Sequence, residues 1–231
     1  MDIAVIIVDD RADAKSSAKA KTVCIEMRNR MNDLHTIGHS SHPIDYFLEM
    51  LKAYGINCLA DVRSIPFSKY APQYNTKELE QHLNSKQIYY IYMGKEFGAR
   101  KNDRQLFTDG YVDFEKVIKD AHFQKGVERI EKGLDQNYKI AFMCAEKDPF
   151  DCHRCLMVAR AFNELGHNII NIREDGNYET QEQIKDRLLD MYFPAKNQLF
   201  LEFAPKKNTP ELISEAYLLR NREIAYKRGK E

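Results

Sequence analysis

Two cysteines, a glutamate, a histidine and an arginine fall within eleven residues of one another, from Cys144 and Glu146 to Cys152, His153 and Arg154. The run Ile140 to Met143 is apolar and bounded by a polar loop, as expected of a strand covered on both faces. Cys144 is therefore expected at the carboxyl end of that strand. Asp151 is a good helix N-cap and the spacing from Cys152 to Phe162 is helical, which predicts Cys152, His153 and Arg154 in the first turn of a helix. Unpaired backbone N–H groups and the positive end of the helix dipole there lower a thiol pKa and favour anions.

Three chemistries fit. The first is a nucleophilic Cys144 or Cys152 with Arg154 holding an oxyanion, although nine residues separate Cys144 from Arg154, more than in tight oxyanion-binding loops. The second is metal ligation by Cys144, Cys152, His153 and Cys155. Neighbours on a helix diverge, so one Zn²⁺ is not expected to take all four; no metal is assigned, and Cys144, Cys152 and His153 are the candidates were one bound. The third is a redox pair in Cys152-His153-Arg154-Cys155, a C-x-x-C at a helix start. Glu146 either moves protons as a general acid or base or anchors loop amides.

Further groups stand where other strands should end. Strand Leu34 to Gly38 runs into His39-Ser40-Ser41-His42, and strand Ile56 to Val62 ends in Asp61-Val62-Arg63. If the sheet is parallel, these ends share one edge with Cys144. Asp61 and Arg63 or Arg154 could equally pair with each other, because charges beside a buried strand need partners. Two long connections, Arg63 to Asn75 and Met93 to Asp113, carry cations, aromatics and glycines, among them Tyr70 and Arg100. Such loops either take part in function or merely cover the sheet edge.

The elements required to position these residues read as a βα rhythm. Helices are expected at Pro43 to Tyr54, Thr76 to Ser85, Phe114 to Ala121, Phe123 to Asp135, after Asp151, at Thr180 to Met191 and from Thr209. Strands are expected at Ile88 to Tyr92 and Asn168 to Ile172 besides those above, with Leu199 to Phe203 as an edge strand. Strands alternating with helices imply an α/β three-layer sandwich with a mostly parallel, Rossmann-like sheet. The expected organisation is one domain over 34–204, an N-terminal extension over 1–33 and a C-terminal helical tail over 205–231.

At 231 residues the chain suffices for one such domain. Charged residues make up 30% and cancel to zero net charge, so no global field draws in nucleic acid or an acidic membrane. No apolar run reaches the roughly 20 residues that span a bilayer. Five cysteines, an odd number with three inside twelve residues, argue for reduced thiols over a disulfide framework. A cytoplasmic protein is the expectation.

The residues also resemble a family. Ile37-Gly38-His39-Ser40, Leu59 to Pro66, Tyr90 to Arg100 with Gly94 and Gly98, Phe123-Gln124-Lys125-Gly126 and Met143 to Pro149 followed by Cys152-His153-Arg154 are similar to the domain of unknown function 488 family, from about Leu34 to Leu201. The resemblance implies a site of Asp61, Arg63, Cys144, Glu146, Cys152, His153 and Arg154 and leaves the activity open. Cys155 lies outside the family pattern, and Ala99 stands where the common form has glycine.

The resulting expectation is a site for an anionic, phosphate-bearing or nucleotide-like small molecule. Cys144, Glu146, Cys152, His153 and Asp61 would carry a cysteine-dependent hydrolase or transferase reaction, and Arg63, Arg154, His39, Ser40 and Tyr70 would bind the ligand. No cofactor is assigned. The rivals are a nucleic-acid- or protein-binding module in which the same cluster is structural, and a Cys/His metal or redox site.

Overall fold

The computed structural model describes residues 33–194 and 209–228. The strands are β1 (Leu34–Gly38), β2 (Cys58–Asp61), β3 (Tyr89–Tyr92), β4 (Phe107–Thr108), β5 (Tyr111–Val112), β6 (Ile140–Cys144), β7 (Ile169–Ile172) and β8 (Tyr178–Thr180). The α-helices are α1 (Ile44–Ala53), α2 (Thr76–Asn84), α3 (Gly94–Phe97), α4 (Phe114–Lys119), α5 (Ala121–Asp135), α6 (Arg160–Glu164), α7 (Gln181–Tyr192) and α8 (Thr209–Ile224). Local signals place several boundaries. Asp113 and Asp120 cap α4 and α5 through their carboxylates, Thr180 and Gln183 form a capping box on α7, and Gly55, at φ +66°, turns the chain after α1.

Six strands form one sheet in the order β3-β2-β6-β1-β7-β8, parallel except for β8. Alternation along β6 sends Ala141 and Met143 to one face, where they pack with Phe47, Leu51, Leu79 and Leu83 of α1 and α2. Ile140, Phe142 and Cys144 point to the other, against Phe123, Ile130, Leu156 and Phe162. Helices therefore cover both faces, and the single α/β three-layer domain follows from β6 being apolar on both sides.

The strand order sets where a site can form. The connections leaving β1 and β2 run to the α1/α2 face, whereas that leaving β6 runs to the opposite face. Since β6 lies between β2 and β1, its carboxyl end is flanked by loops that diverge on both sides, and this is the crevice in which open α/β sheets bind ligands.

Two features differ from the sequence expectation, and a third expectation falls on residues that are not described. The connection Met93 to Asp113 contains α3 and the β4–β5 hairpin, whose turn residues Asp109 and Gly110 both take positive φ, 49° and 81°. Strand β8 adds an antiparallel edge beside β7. Leu199 to Phe203 and residues 1–32, with Cys24, lie outside the described residues, so the expected edge strand and N-terminal extension are not described.

Candidate metal centre

Cys144 ends β6 with its thiol on the α5/α6 face. The chain then crosses a loop to a 3₁₀ turn, Pro149–Asp151, opened by Asp148, whose carboxylate accepts from the Phe150 N–H at 2.8 Å. Here the expected helix start is corrected: Asp151 is not the N-cap. Cys152 is extended, its carbonyl accepts from the N–H groups of Cys155 and Leu156, and its sulfur accepts from the Arg154 N–H at 3.4 Å. Cys152 itself thus caps the helix, with the soft acceptor sulfur where a serine or aspartate oxygen usually sits. The following residues, Arg154–Ala159, are in π-helical geometry before α6 begins, and such widened turns occur often at functional sites.

This path draws four ligand atoms together. The sulfurs of Cys144 and Cys152, Nδ1 of His153 and a carboxylate oxygen of Glu146 all lie within 4.8 Å of one another. His153 Nδ1 is 3.9 Å from the Cys144 sulfur and 3.8 Å from the Cys152 sulfur, and the Cys152 sulfur is 3.0 Å from Glu146 Oε2. His153 Nε2 is 3.1 Å from the Val62 carbonyl. A carbonyl only accepts, so Nε2 carries the proton and the Nδ1 lone pair faces the thiols. A second ring nitrogen anchored in this way is the usual support of a metal-binding histidine.

Protons are shared unevenly. Burial, and then hydrogen bonding to Cys152, raise the Cys144 thiol well above its ordinary pKa. Burial would raise Cys152 too, but the hydrogen bond from Cys144 and the charges of Arg154 and His153 outweigh it, and this thiol titrates well below the usual range. Burial opposes protonation of His153, yet the adjoining Cys152 charge prevails and raises its pKa. Burial and the charge on Cys152 raise Glu146. Three of the four groups thus hold their protons more tightly than usual and Cys152 less tightly, so a cation bound here would have to displace protons and its affinity would rise with pH.

Asp61 and Arg63 stand immediately beside the cluster and lock one another. Arg63 Nε and Nη2 donate to the Asp61 carboxylate, Nη2 also donates to the Tyr74 carbonyl, and Tyr90 donates its hydroxyl to Asp61. Arg63 Nη1 reaches His39 Nε2 at 3.2 Å, and His39 Nδ1–H donates to the Ser40 carbonyl at 2.8 Å. Burial, with the Arg63 charge, holds the His39 pKa at about 4, so the ring is neutral. Ser40 contributes backbone: its N–H donates to the Ala145 carbonyl and tethers the end of β1 to the loop after β6.

Arg154 is fully buried and turned inward, with Nη1 donating to the Glu146 carbonyl at 2.7 Å and Nη2 to the Lys147 carbonyl at 3.3 Å. It ties down the loop after β6 through these two carbonyls. Gly38 makes room for this arrangement, since a Cβ there would collide with the Glu146 carbonyl. Cys155 is buried with its thiol 3.8 Å from the Gln181 side-chain oxygen, and both it and Cys152 are free thiols. Tyr70 is 100% exposed on its loop and is not among the residues lining the cavity.

A cavity of about 200 Å³ opens onto the cluster, lined by Arg63, Ser64, Ile65, Arg100, Cys144, Glu146 and His153 among others. The Ser64 hydroxyl accepts from the Arg100 N–H at 2.8 Å, joining the two long loops at its rim. Sequence reasoning did not single out Val62, whose carbonyl fixes the His153 ring, or Ser64. Val62 carries no signal by residue type, because it acts through its backbone.

The fold and cluster define a class: a three-layer α/β protein with a Cys₂-His-carboxylate cluster at its topological switch point. The chain belongs to the family described as Domain of unknown function DUF488, which matches residues 43–161. That span contains β2 to β6 and the whole cluster, and leaves β1, β7, α7 and α8 outside. No curated protein and no solved structure matches the chain.

Proposed function

We propose that this protein is a metalloenzyme whose Cys144, Cys152 and His153 hold a transition metal, zinc by ligand chemistry, with Glu146 at the remaining position. The observation that carries this is the convergence of four ligand atoms within 4.8 Å. Zn–S bonds of about 2.3 Å and Zn–N bonds of about 2.0 Å at a tetrahedral angle put sulfur and nitrogen about 3.5 Å apart. The separations of 3.8 and 3.9 Å need only a small contraction to reach that value. Two thiolates with imidazole and carboxylate select zinc over magnesium or calcium.

The cavity argues for a catalytic centre over a closed structural one. Glu146, the exposed member of the four, borders it and is the ligand able to swing away as a general base, leaving a coordination position for water or substrate. A metal there supplies an activated water or polarises a substrate oxygen. Arg63, rigidly oriented by Asp61, and the exposed Arg100 favour a small anionic substrate, phosphate- or carboxylate-bearing, and a hydrolytic or transfer reaction.

Thiol catalysis is less well supported. The sulfur with the lowered pKa, Cys152, is buried and does not border the cavity, whereas Cys144, which does, has a raised pKa. Zinc titration against a chromophoric chelator tests the proposal: one equivalent bound tightly, and none in Cys152→Ser or His153→Ala, is the expected outcome. Absence of stoichiometric zinc, cobalt or iron binding by the reduced full-length protein would overturn it.

A further inference from the structure

The 3₁₀ turn that delivers Cys152 is held from outside the family span. The Phe150 ring lies between two guanidiniums from different helices, with Cζ of Arg187 on α7 4.4 Å and Cζ of Arg220 on α8 4.8 Å from its centroid. Each arginine also grips an aspartate of the turn. Arg187 Nη1 and Nη2 donate to the Asp148 carboxylate at 3.2 and 2.8 Å, and Arg220 Nη2 donates to Asp151 while its Nε donates to the Phe150 carbonyl at 3.3 Å. Both ends of the turn and its central ring are thus fixed by α7 and α8, and the next residue is Cys152.

We infer that Arg187 and Arg220 are positioning residues for the metal centre, and that docking of the C-terminal helix α8 and metal binding by Cys152 are coupled. This rests on the proposed metal site. The physical basis is reciprocal linkage: if α8 organises the Cys152 turn, then metal bound to Cys152 must stabilise α8 in its docked place by the same factor. A mere surface ion pair would not act in this way. Arg220 is half-buried, shares Glu223 and Asp151, and stacks on a buried ring, so its charge is committed to this turn. Helix α8 has its own anchorage, through Asn221 to the Phe114 N–H and the Val112 carbonyl and through Tyr217 to Gln181, so removing the Arg220 guanidinium releases the turn while the helix stays docked.

The test uses full-length protein carrying Arg220→Met, with Arg220→Lys as the conservative partner. Two quantities are read: zinc affinity, and the iodoacetamide labelling rate of Cys152 in metal-free protein, resolved by mass spectrometry against Cys58 and Cys155 as internal controls. Arg220→Met is expected to weaken zinc binding about tenfold, the usual order for outer-shell supports. Its Cys152 labelling should rise several-fold with the control thiols unchanged, and Arg220→Lys should recover part of both effects. Zinc should slow amide exchange across Thr209–Ile224 in the parent protein. Unchanged Cys152 labelling in Arg220→Met overturns the positioning role. Altered Cys152 labelling in a protein that binds no metal upholds the clamp and refutes the metal reading instead.

Discussion

At the scale of single residues, Arg154 and Arg100 make opposite predictions. Arg154 donates to two loop carbonyls from a fully buried position, so Arg154→Met should remove both bonds that hold the loop. A hydrogen bond from a charged donor contributes about 1.5–3 kcal/mol. The melting temperature should fall by several degrees whether or not an anion is present. Arg100 is exposed at the cavity rim and stacks loosely on Tyr226, 5.4 Å from the ring centroid. Arg100→Met should leave the ligand-free melt almost unchanged and reduce the stabilisation that inorganic phosphate gives the zinc-loaded protein. Equal phosphate stabilisation in parent and variant would remove Arg100 from the ligand site.

At the scale of elements, the site depends on a close approach between the end of β1 and the loop after β6. Gly38 permits it, so Gly38→Ala should push the Glu146 backbone outward, lower the melting temperature and weaken zinc binding together. Zinc affinity unchanged in Gly38→Ala would show that the approach is not needed for the centre. The βα order, the position of Cys144 at a strand end and the convergence of Asp61, Arg63 and His39 were legible because apolar runs and strand ends follow simple periodicities. The helix start was misread, since Asp151 is the better cap by residue type. What decides it is long-range: Arg220 on α8 takes the Asp151 carboxylate and leaves capping to Cys152. The β4–β5 hairpin carried a local signal, Asp109-Gly110 between Phe107-Thr108 and Tyr111-Val112, which the length of the connection obscured. Glu146 as the fourth group near the sulfurs, in place of Cys155, could not be read from spacing, because it depends on how the loop folds back over Gly38.

At the scale of the whole molecule, a buried polar chain ties the sheet to the tail. Thr36 donates to Asn171, Asn171 to Gln181, and Gln181 to Tyr217 of α8, so the tail helix is part of the packed domain. Among the described residues no helix is long and apolar enough to cross a membrane. Global stability should respond to acid through His35 in the middle of the sheet. Burial lowers its pKa from 6.5 to about 4, against the opposing pull of Asp33. The unfolded chain therefore takes up a proton that the folded one refuses. This contribution is complete above the unfolded pKa of 6.5 and is lost as pH falls towards about 4. The slope is at most about 1.4 kcal/mol per pH unit for this group. Denaturant melts between those limits should show a flatter acid limb in His35→Gln than in the parent, and superimposable limbs would mean that His35 is not the sensor.

The central claim, a metal held by two sulfurs and one imidazole at the end of β6, is tested most directly by X-ray absorption on the zinc-loaded protein. Two sulfur scatterers at about 2.3 Å and two nitrogen or oxygen scatterers at about 2.0–2.1 Å are expected, with one sulfur lost in Cys144→Ser. A shell of oxygen and nitrogen alone would contradict the account.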